Sequence, residues 1–297
     1  MLGPNDLCLC CGTIAHASFQ ELVEAAAAGG FKAVSIWPQH YEDARAAGLS
    51  DSDIRLMLEN YGLVISELDP LLTWFPGADK APIQPAFNYS EEFFFRIADT
   101  LGARSLNVAY FLAHRIDTET AAQAFGGLCD RAAQHGLKVS LESLPWSGIP
   151  DVKSAMEIVQ QADRPNGGIN LDTWHHFRGG HRAEELLALP GKAVVATQFN
   201  DAAPITVDDM VHEALHGRLV PGEGAIDLIE IVRALDAIGC LAPIGIEVFS
   251  DDLNKLPPVE VARKVSGAMQ AILAKARSTG NHQPSMSMSE GGSSRVL

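Results

Sequence analysis

The chain has 297 residues, 47% of them hydrophobic and 20% charged, which is apolar material enough for one large core or two ordinary ones. Its net charge of −15, with no basic stripe to offset it, repels polyanions and excludes nucleic acid as a partner. No run of about 18 apolar residues is present to span a membrane, and no basic stretch followed by an apolar one opens the chain, so the expected location is the cytoplasm.

Apolar or β-branched runs alternate with amphipathic stretches along the chain. DLCLCCG (6–12) predicts a first strand. Its Cys8, Cys10 and Cys11, like the isolated Cys129 and Cys240, lack the spacing of a metal or redox pair and are expected as small buried thiols. SFQELVEAAAAGG then reads as a helix with Ser18 as its N-cap and Gly29 as its stop, followed by the strand AVSIW (33–37). SDSDIRLMLENYG predicts a helix ending at Gly62, and LVISELD (63–69) a third strand with Asp69 as a turn residue before Pro70. SLNVAY (105–110) is the fourth strand, and TETAAQAFGGLCDRAAQHG a helix stopping at Gly136. Four more strands follow: KVSLES (138–143), GINLD (168–172), AVVATQF (193–199) and PIGIEVF (243–249). Eight such units over about 275 residues predict a single-domain (β/α)₈ TIM barrel spanning residues 1–277. No strand leads into a G-x-G-x-x-G turn, which argues against a dinucleotide fold. The Ser/Gly-rich residues 278–297 have no period and are expected to be a disordered tail.

In such a barrel, chemistry sits where strands end. Glu142 ends the fifth predicted strand and Asp172 the sixth, while Gln198 and Glu247 stand near the ends of the seventh and eighth. Alternate residues point inward, so these four oxygen donors are expected to converge on one point. Three inward carboxylates would repel one another unless a cation sits among them. An oxygen-rich set suits Mn²⁺ or Mg²⁺, with Co²⁺ or Zn²⁺ as alternatives, and Gln198 adds a neutral carbonyl oxygen. Glu67 is a candidate substrate contact or supporting residue at the end of the third strand.

VSLES, NLDTWHH, QFND, GRLVPGEGAIDL and IGIEVF, taken with this layout, resemble the sugar phosphate isomerase/epimerase superfamily over roughly residues 5 to 275. These are the xylose isomerase-like barrels, which include tagatose epimerases, inosose dehydratases, 3-dehydroshikimate dehydratases and apurinic endonucleases. The resemblance implies that Glu142, Asp172, Gln198 and Glu247 bind one divalent metal ion. It also implies that His175, of an Asp-x-x-His, handles a proton or contacts substrate, and that Arg218, before Pro-Gly-x-Gly, touches substrate oxygens. Gln198 stands where many relatives have histidine; some dehydratases of the family carry Gln there, which keeps isomerase and lyase both open. No Arg lies in LDPLLTWFPG, where dehydroshikimate dehydratases place one for a carboxylate, so a carboxylated substrate is in doubt. Arg178, Arg182 and Arg218 are the cations that could receive a phosphate, and relatives often associate, which leaves a homo-oligomer open.

The four tryptophans, Trp37, Trp74, Trp146 and Trp174, all fall at or just past strand ends and, with Phe75 and Phe177, are expected to wall a pocket for a small molecule. His114 and His16 lie on the same face, and His176 reads as structural. The expected reaction is proton abstraction next to a carbonyl of a sugar, cyclitol or related hydroxyketone, with Glu142 and Glu247 as base and acid and His175 and Arg218 holding oxygens, giving isomerisation or epimerisation. A dehydratase expelling a β-hydroxyl from the same site is the alternative. A metal-dependent hydrolase and a metal-free binding barrel are further rivals.

Overall fold

The computed structural model describes residues 2–81, 87–205 and 208–278. All but Ser278 of the segment expected to be a disordered tail therefore lies outside the described residues. Eight parallel strands close into a barrel in chain order: β1 (Leu7–Leu9), β2 (Ala33–Ile36), β3 (Val64–Leu71), β4 (Ser105–Ala109), β5 (Lys138–Glu142), β6 (Gly167–Asp172), β7 (Val194–Phe199) and β8 (Ile244–Ile246). Ten α-helices are present among the described residues: α1 (Phe19–Ala28), α2 (Pro38–Ala46), α3 (Asp51–Tyr61), α4 (Glu91–Leu101), α5 (Thr118–Ala133), α6 (Val152–Ala162), α7 (Thr173–Arg178), α8 (Met210–His216), α9 (Leu228–Ala237) and α10 (Pro258–Arg277).

Local chemistry accounts for the boundaries. Ser18 caps α1 in a reciprocal box with Glu21, and Ser50 caps α3 in the same way with Asp53, each cap contributing about 1 kcal/mol. The α3 helix ends where Gly62 takes φ 65°, a left-handed conformation that costs glycine nothing. On α4 the buried residues Phe94, Ile97, Ala98 and Leu101 fall at helical spacing and form the stripe turned to the barrel. The main core lies between the strands and the surrounding helices and includes Leu22, Ile54, Phe125 and Trp174.

The ladder registers fix which residues face the barrel interior. Glu142 pairs with Asn170, Asp172 with Gln198, Gln198 with Gly245, and Gly245 with Cys8. Because side chains alternate, Glu142, Asp172, Gln198 and, two residues beyond Gly245, Glu247 share one parity. Ser140, Asn107 and Glu67 carry that parity round the other half of the ring. The interior row is thus unusually polar for a barrel of this type.

Several strand ends differ from the sequence reading, and three of the differences bear on the site. The first strand stops at Leu9 because residues Cys11–Ile14 turn into a 3₁₀ helix, with Thr13 N–H donating to the Cys10 carbonyl. The eighth stops at Ile246, which puts Glu247 one residue beyond it. The third runs on through Pro70 to Leu71, its register with β4 shifting between Leu68 and Leu71. Asp69 is therefore a buried strand residue of inward parity, two on from Glu67, and not a turn residue. All five cysteines are free and buried.

Candidate active site

At the ends of the strands lies a cavity of about 350 Å³ lined by Trp37, Asp69, Phe87, Phe111, Glu142, Leu144, Trp146, His175, His216, Arg218, Glu247 and Phe249, among others. Asp172 is held beside the lining residues Glu142 and His175 by a local device: it ends β6 and caps α7, its Oδ1 accepting from the His175 N–H at 2.9 Å. The same cap fixes the backbone of His175, whose Nε2 comes 3.4 Å from Glu142 Oε1. Oxygen or nitrogen atoms of Glu142, Asp172 and His175 all lie within 4.8 Å of one another.

Arg218 is the one Lys or Arg among the cavity-lining residues. Its Nη1 donates to Asp172 Oδ2 at 2.6 Å and to Glu247 Oε2 at 3.4 Å, its Nε to the Ala214 carbonyl at 2.7 Å, and its Nη2 faces His175 Nε2 at 3.4 Å. Of the five N–H groups of a guanidinium this leaves one for anything else. Burial works to raise the Asp172 carboxyl, but the Arg218 charge, then His175 and the Asn200 amide at 3.1 Å, hold it below the usual carboxylate range. Glu247 goes the other way: burial and the Asp69 charge push it well above its ordinary value despite Arg218. Asp69 rises to about 7, through burial and then the Glu142 charge. Asn107 bridges these last two carboxylates, its Nδ2 donating to Asp69 Oδ1 at 2.8 Å and to Glu142 Oε2 at 2.7 Å.

Three buried carboxylates, Asp69, Glu142 and Glu247, thus line the cavity and a fourth, Asp172, lies buried against its single guanidinium, an excess of negative charge. Several polar atoms there have no hydrogen-bond partner among the described residues: both amide atoms of Gln198, Glu247 Oε1 and His175 Nδ1. Buried polar atoms without partners are rare, and here Gln198 Oε1, Glu247 Oε1 and the imidazole nitrogen are able to ligate a cation, while Gln198 Nε2 can only donate. On charge and on donor chemistry the residues fit a divalent ion.

The structure brings Glu142, Asp172, His175, Arg218 and Glu247 together, with Trp37 and Trp146 on the cavity walls and Gln198 beside Asp172 in register. The other proposed contacts lie elsewhere. Trp174 is fully buried in the core, and Trp74 is buried with its Nε1 donating to the Ala109 carbonyl at 2.9 Å. His114 is exposed and pairs with the Tyr110 hydroxyl at 2.6 Å. Glu67 sits lower in the barrel, its Oε2 accepting from Ser140 at 3.2 Å. Phe75 stacks edge-on to Trp74 and Tyr110, and His176 Nε2 meets the Arg182 carbonyl at 3.1 Å, away from the site. Arg178 is buried against Glu213 and the Ala203 carbonyl.

Sequence reasoning missed Asp69, Asn107, Asn200 and Asp201. Asp201 accepts N–H groups from Ala202, Gly222, Gly224 and Ile226 and so folds the Pro-Gly-Glu-Gly loop next to Arg218. A Cβ on Gly224 would stand 2.3 Å from the Ala202 carbonyl and 2.4 Å from Asp201 Oδ1, so only glycine fits. The signal for Asn107 was its shared parity with Ser105 in a strand otherwise apolar.

Comparison with known proteins agrees with this architecture. The chain is 29% identical to a 3-dehydroshikimate dehydratase of Pseudomonas aeruginosa over 243 residues, which is 80% of this chain and 37% of that one. It thus spans little more than a third of that relative's length. It is 27% identical to an inosose isomerase of Bacillus velezensis over 184 residues, 58% of this chain and 65% of the other. The fold superposes on the crystal structure of IolI, a protein with a bound zinc atom, with a TM-score of 0.79 at 22% identity, covering 92% of this chain and 99% of that one. The profile of the family described as xylose isomerase-like TIM barrel matches residues 23–272, and the chain belongs to that family.

Proposed function

We propose that the chain is a divalent-metal-dependent isomerase or epimerase that moves a proton next to the carbonyl of a sugar, cyclitol or related hydroxyketone. The observation that carries this reading is the excess of carboxylates at the strand ends, with ligating atoms of Glu142, Asp172 and His175 within 4.8 Å and Gln198 and Glu247 holding unpartnered atoms beside them. Glu142, Asp172, Gln198 and Glu247 would hold the ion, Mn²⁺ or Mg²⁺ being favoured by the oxygen-rich set, and His175 is a further donor within reach. When bound, such an ion supplies a Lewis acid that draws charge from a substrate carbonyl oxygen.

The remaining chemistry belongs to the chain. Glu142 has its Oε2 fixed by Asn107 and its Oε1 turned toward His175, which poises that oxygen to take the proton. Glu247 stands on a stave three positions round the barrel and returns it. Return to the opposite face of the same carbon is epimerisation, and return to the neighbouring carbon is isomerisation. His175 and the last free N–H of Arg218 orient the substrate oxygens. A second reading, dehydration, is favoured by the relative named a dehydratase, which matches over 80% of the chain. It uses the same proton removal, followed by loss of a β-hydroxyl protonated by His175.

Solvent-deuterium exchange over ketoses, inososes and other cyclic hydroxyketones tests both. Deuterium incorporation without net water loss supports the isomerase, and a new ultraviolet absorbance from an α,β-unsaturated product supports the dehydratase. Neither signal with any of these ketones overturns proton abstraction at this site.

A further inference from the structure

We infer that the cavity is built for an uncharged ring seated between aromatic walls, and that it discriminates against a carboxylated or phosphorylated substrate; the inference rests on the proposed reading that a hydroxyketone enters this site. On one side Trp37 and Phe249 lie nearly parallel, ring centroids 6.3 Å apart and planes 10° apart, with Phe87 edge-on to Trp37 at 5.6 Å. These residues come from the β2, β3 and β8 side of the barrel. From the β4 and β5 side come Phe111 and Trp146, 6.1 Å apart, with Trp146 also 5.3 Å from the His175 ring. Aromatic walls of this kind accept the flat, CH-bearing faces of a ring and gain little from an extended polar chain.

The polar features of the site point the same way. An anionic group needs an unengaged guanidinium, an ammonium or a free helix N-terminus. Among the described cavity-lining residues the one Lys or Arg, Arg218, already serves Asp172, Glu247, His175 and the Ala214 carbonyl, and of the two histidines there His175 faces Glu142 at 3.4 Å and His216 meets Asp251 Oδ1 at 3.0 Å. Arg178 is engaged by Glu213 and Ala203, and Arg182 is exposed outside the cavity. The helix starts at the rim are closed as well. Pro38 opens α2 while His40 accepts the Trp37 N–H, and the Asp172 carboxylate caps α7. The carboxylates Asp69, Glu142 and Glu247 on the floor, with Asp172 beside them, already outweigh Arg218 and one divalent ion together, so little positive charge is left for an incoming carboxylate or phosphate, which selects against it.

The test compares two ligands of one ring that differ by one charge: 3-dehydroshikimate and its methyl ester, titrated calorimetrically into the full chain loaded with Mn²⁺. The ester is expected to bind at least tenfold more tightly, an inosose to bind in the ester's range, and a ketose phosphate more weakly than either. Equal or tighter binding of the acid overturns the inference, and so does failure of all the uncharged rings to bind. Because binding is read without turnover, a failure of deuterium exchange refutes the proposed reaction and leaves this comparison readable. Phe111→Arg, which adds a cation to a half-buried wall position, is expected to reverse the preference toward the acid. An unchanged preference in a folded Phe111→Arg protein refutes the assignment of selectivity to the missing cation.

Discussion

Replacing Arg218 by Met removes the guanidinium and keeps most of the stem. The charge lost is buried, 2.6 Å from Asp172 Oδ2 and 3.4 Å from Glu247 Oε2. Taking away one partner of a buried ion pair leaves the others uncompensated and costs about 3–5 kcal/mol. At about 2–4 °C of melting temperature per kcal/mol for a domain of this size, the metal-free variant should melt roughly 6–20 °C below the parent chain. A divalent cation on the same carboxylates replaces much of the missing charge, so the deficit should shrink in excess Mn²⁺; a ligand at a hundred times its Kd adds about 2.7 kcal/mol to the native state. Thermal unfolding of both proteins in chelator and then in Mn²⁺ reads the two effects. A variant as stable as the parent in chelator would show that Arg218 does not neutralise the floor and would refute the reasoning.

The remaining predictions concern base, bridge and pH. Glu142→Gln should abolish deuterium exchange while binding of an exchanging ketone, measured calorimetrically, changes little; retained exchange removes Glu142 as the base. Asn107→Leu strips a charge-assisted hydrogen bond from each of Asp69 and Glu142 and should cost about 2–5 kcal/mol in denaturant unfolding, a loss below 1 kcal/mol contradicting the bridge. His40 and His176 are buried, and burial, named first among the causes for each, lowers both below the ordinary imidazole range. A histidine whose folded value is depressed binds more protons unfolded than folded, so stability is complete above about pH 7.5 and falls as the pH drops through roughly 6.5 toward the lower folded value. Asp69, raised to about 7, and Glu247 work the other way in this window, so the readable quantity is the difference: between pH 8 and 5.5 the parent should lose stability relative to His40→Gln, by up to about 1.4 kcal/mol per pH unit, and equal slopes would exclude His40 as a contributor.

The barrel and the inward face of four strand-end side chains were legible because a period of two fixes the face of every strand residue, and Glu142, Asp172, Gln198 and Glu247 each sit at the tip of a clear apolar run. That rule fails one or two residues past a strand. Trp174 stands two residues past Asp172, yet the turn of α7 swings it into the core, whereas Trp146, in a loop, stays on the cavity wall. Asp69 was hidden by Pro70: a proline after an acidic residue reads as a turn, but here a register shift carries β3 through it. Asn107 was hidden because its local signal, the parity it shares with Ser105 in an otherwise apolar strand, does not name its partners, which lie 38 and 35 residues away. Arg218 meets Asp172 from 46 residues away, and Asp201 pins the loop that follows Arg218 through Gly222 and Gly224, relations that no short motif encodes.

The account rests on one cation shared by the tips of neighbouring staves. Elemental analysis of the purified chain after dialysis against Mn²⁺, beside a Glu142→Ala/Gln198→Ala double variant, measures it directly. The account predicts about one divalent ion per chain in the parent and its loss in the folded variant. No retained ion in the parent, or undiminished retention when both donors are gone, would contradict it.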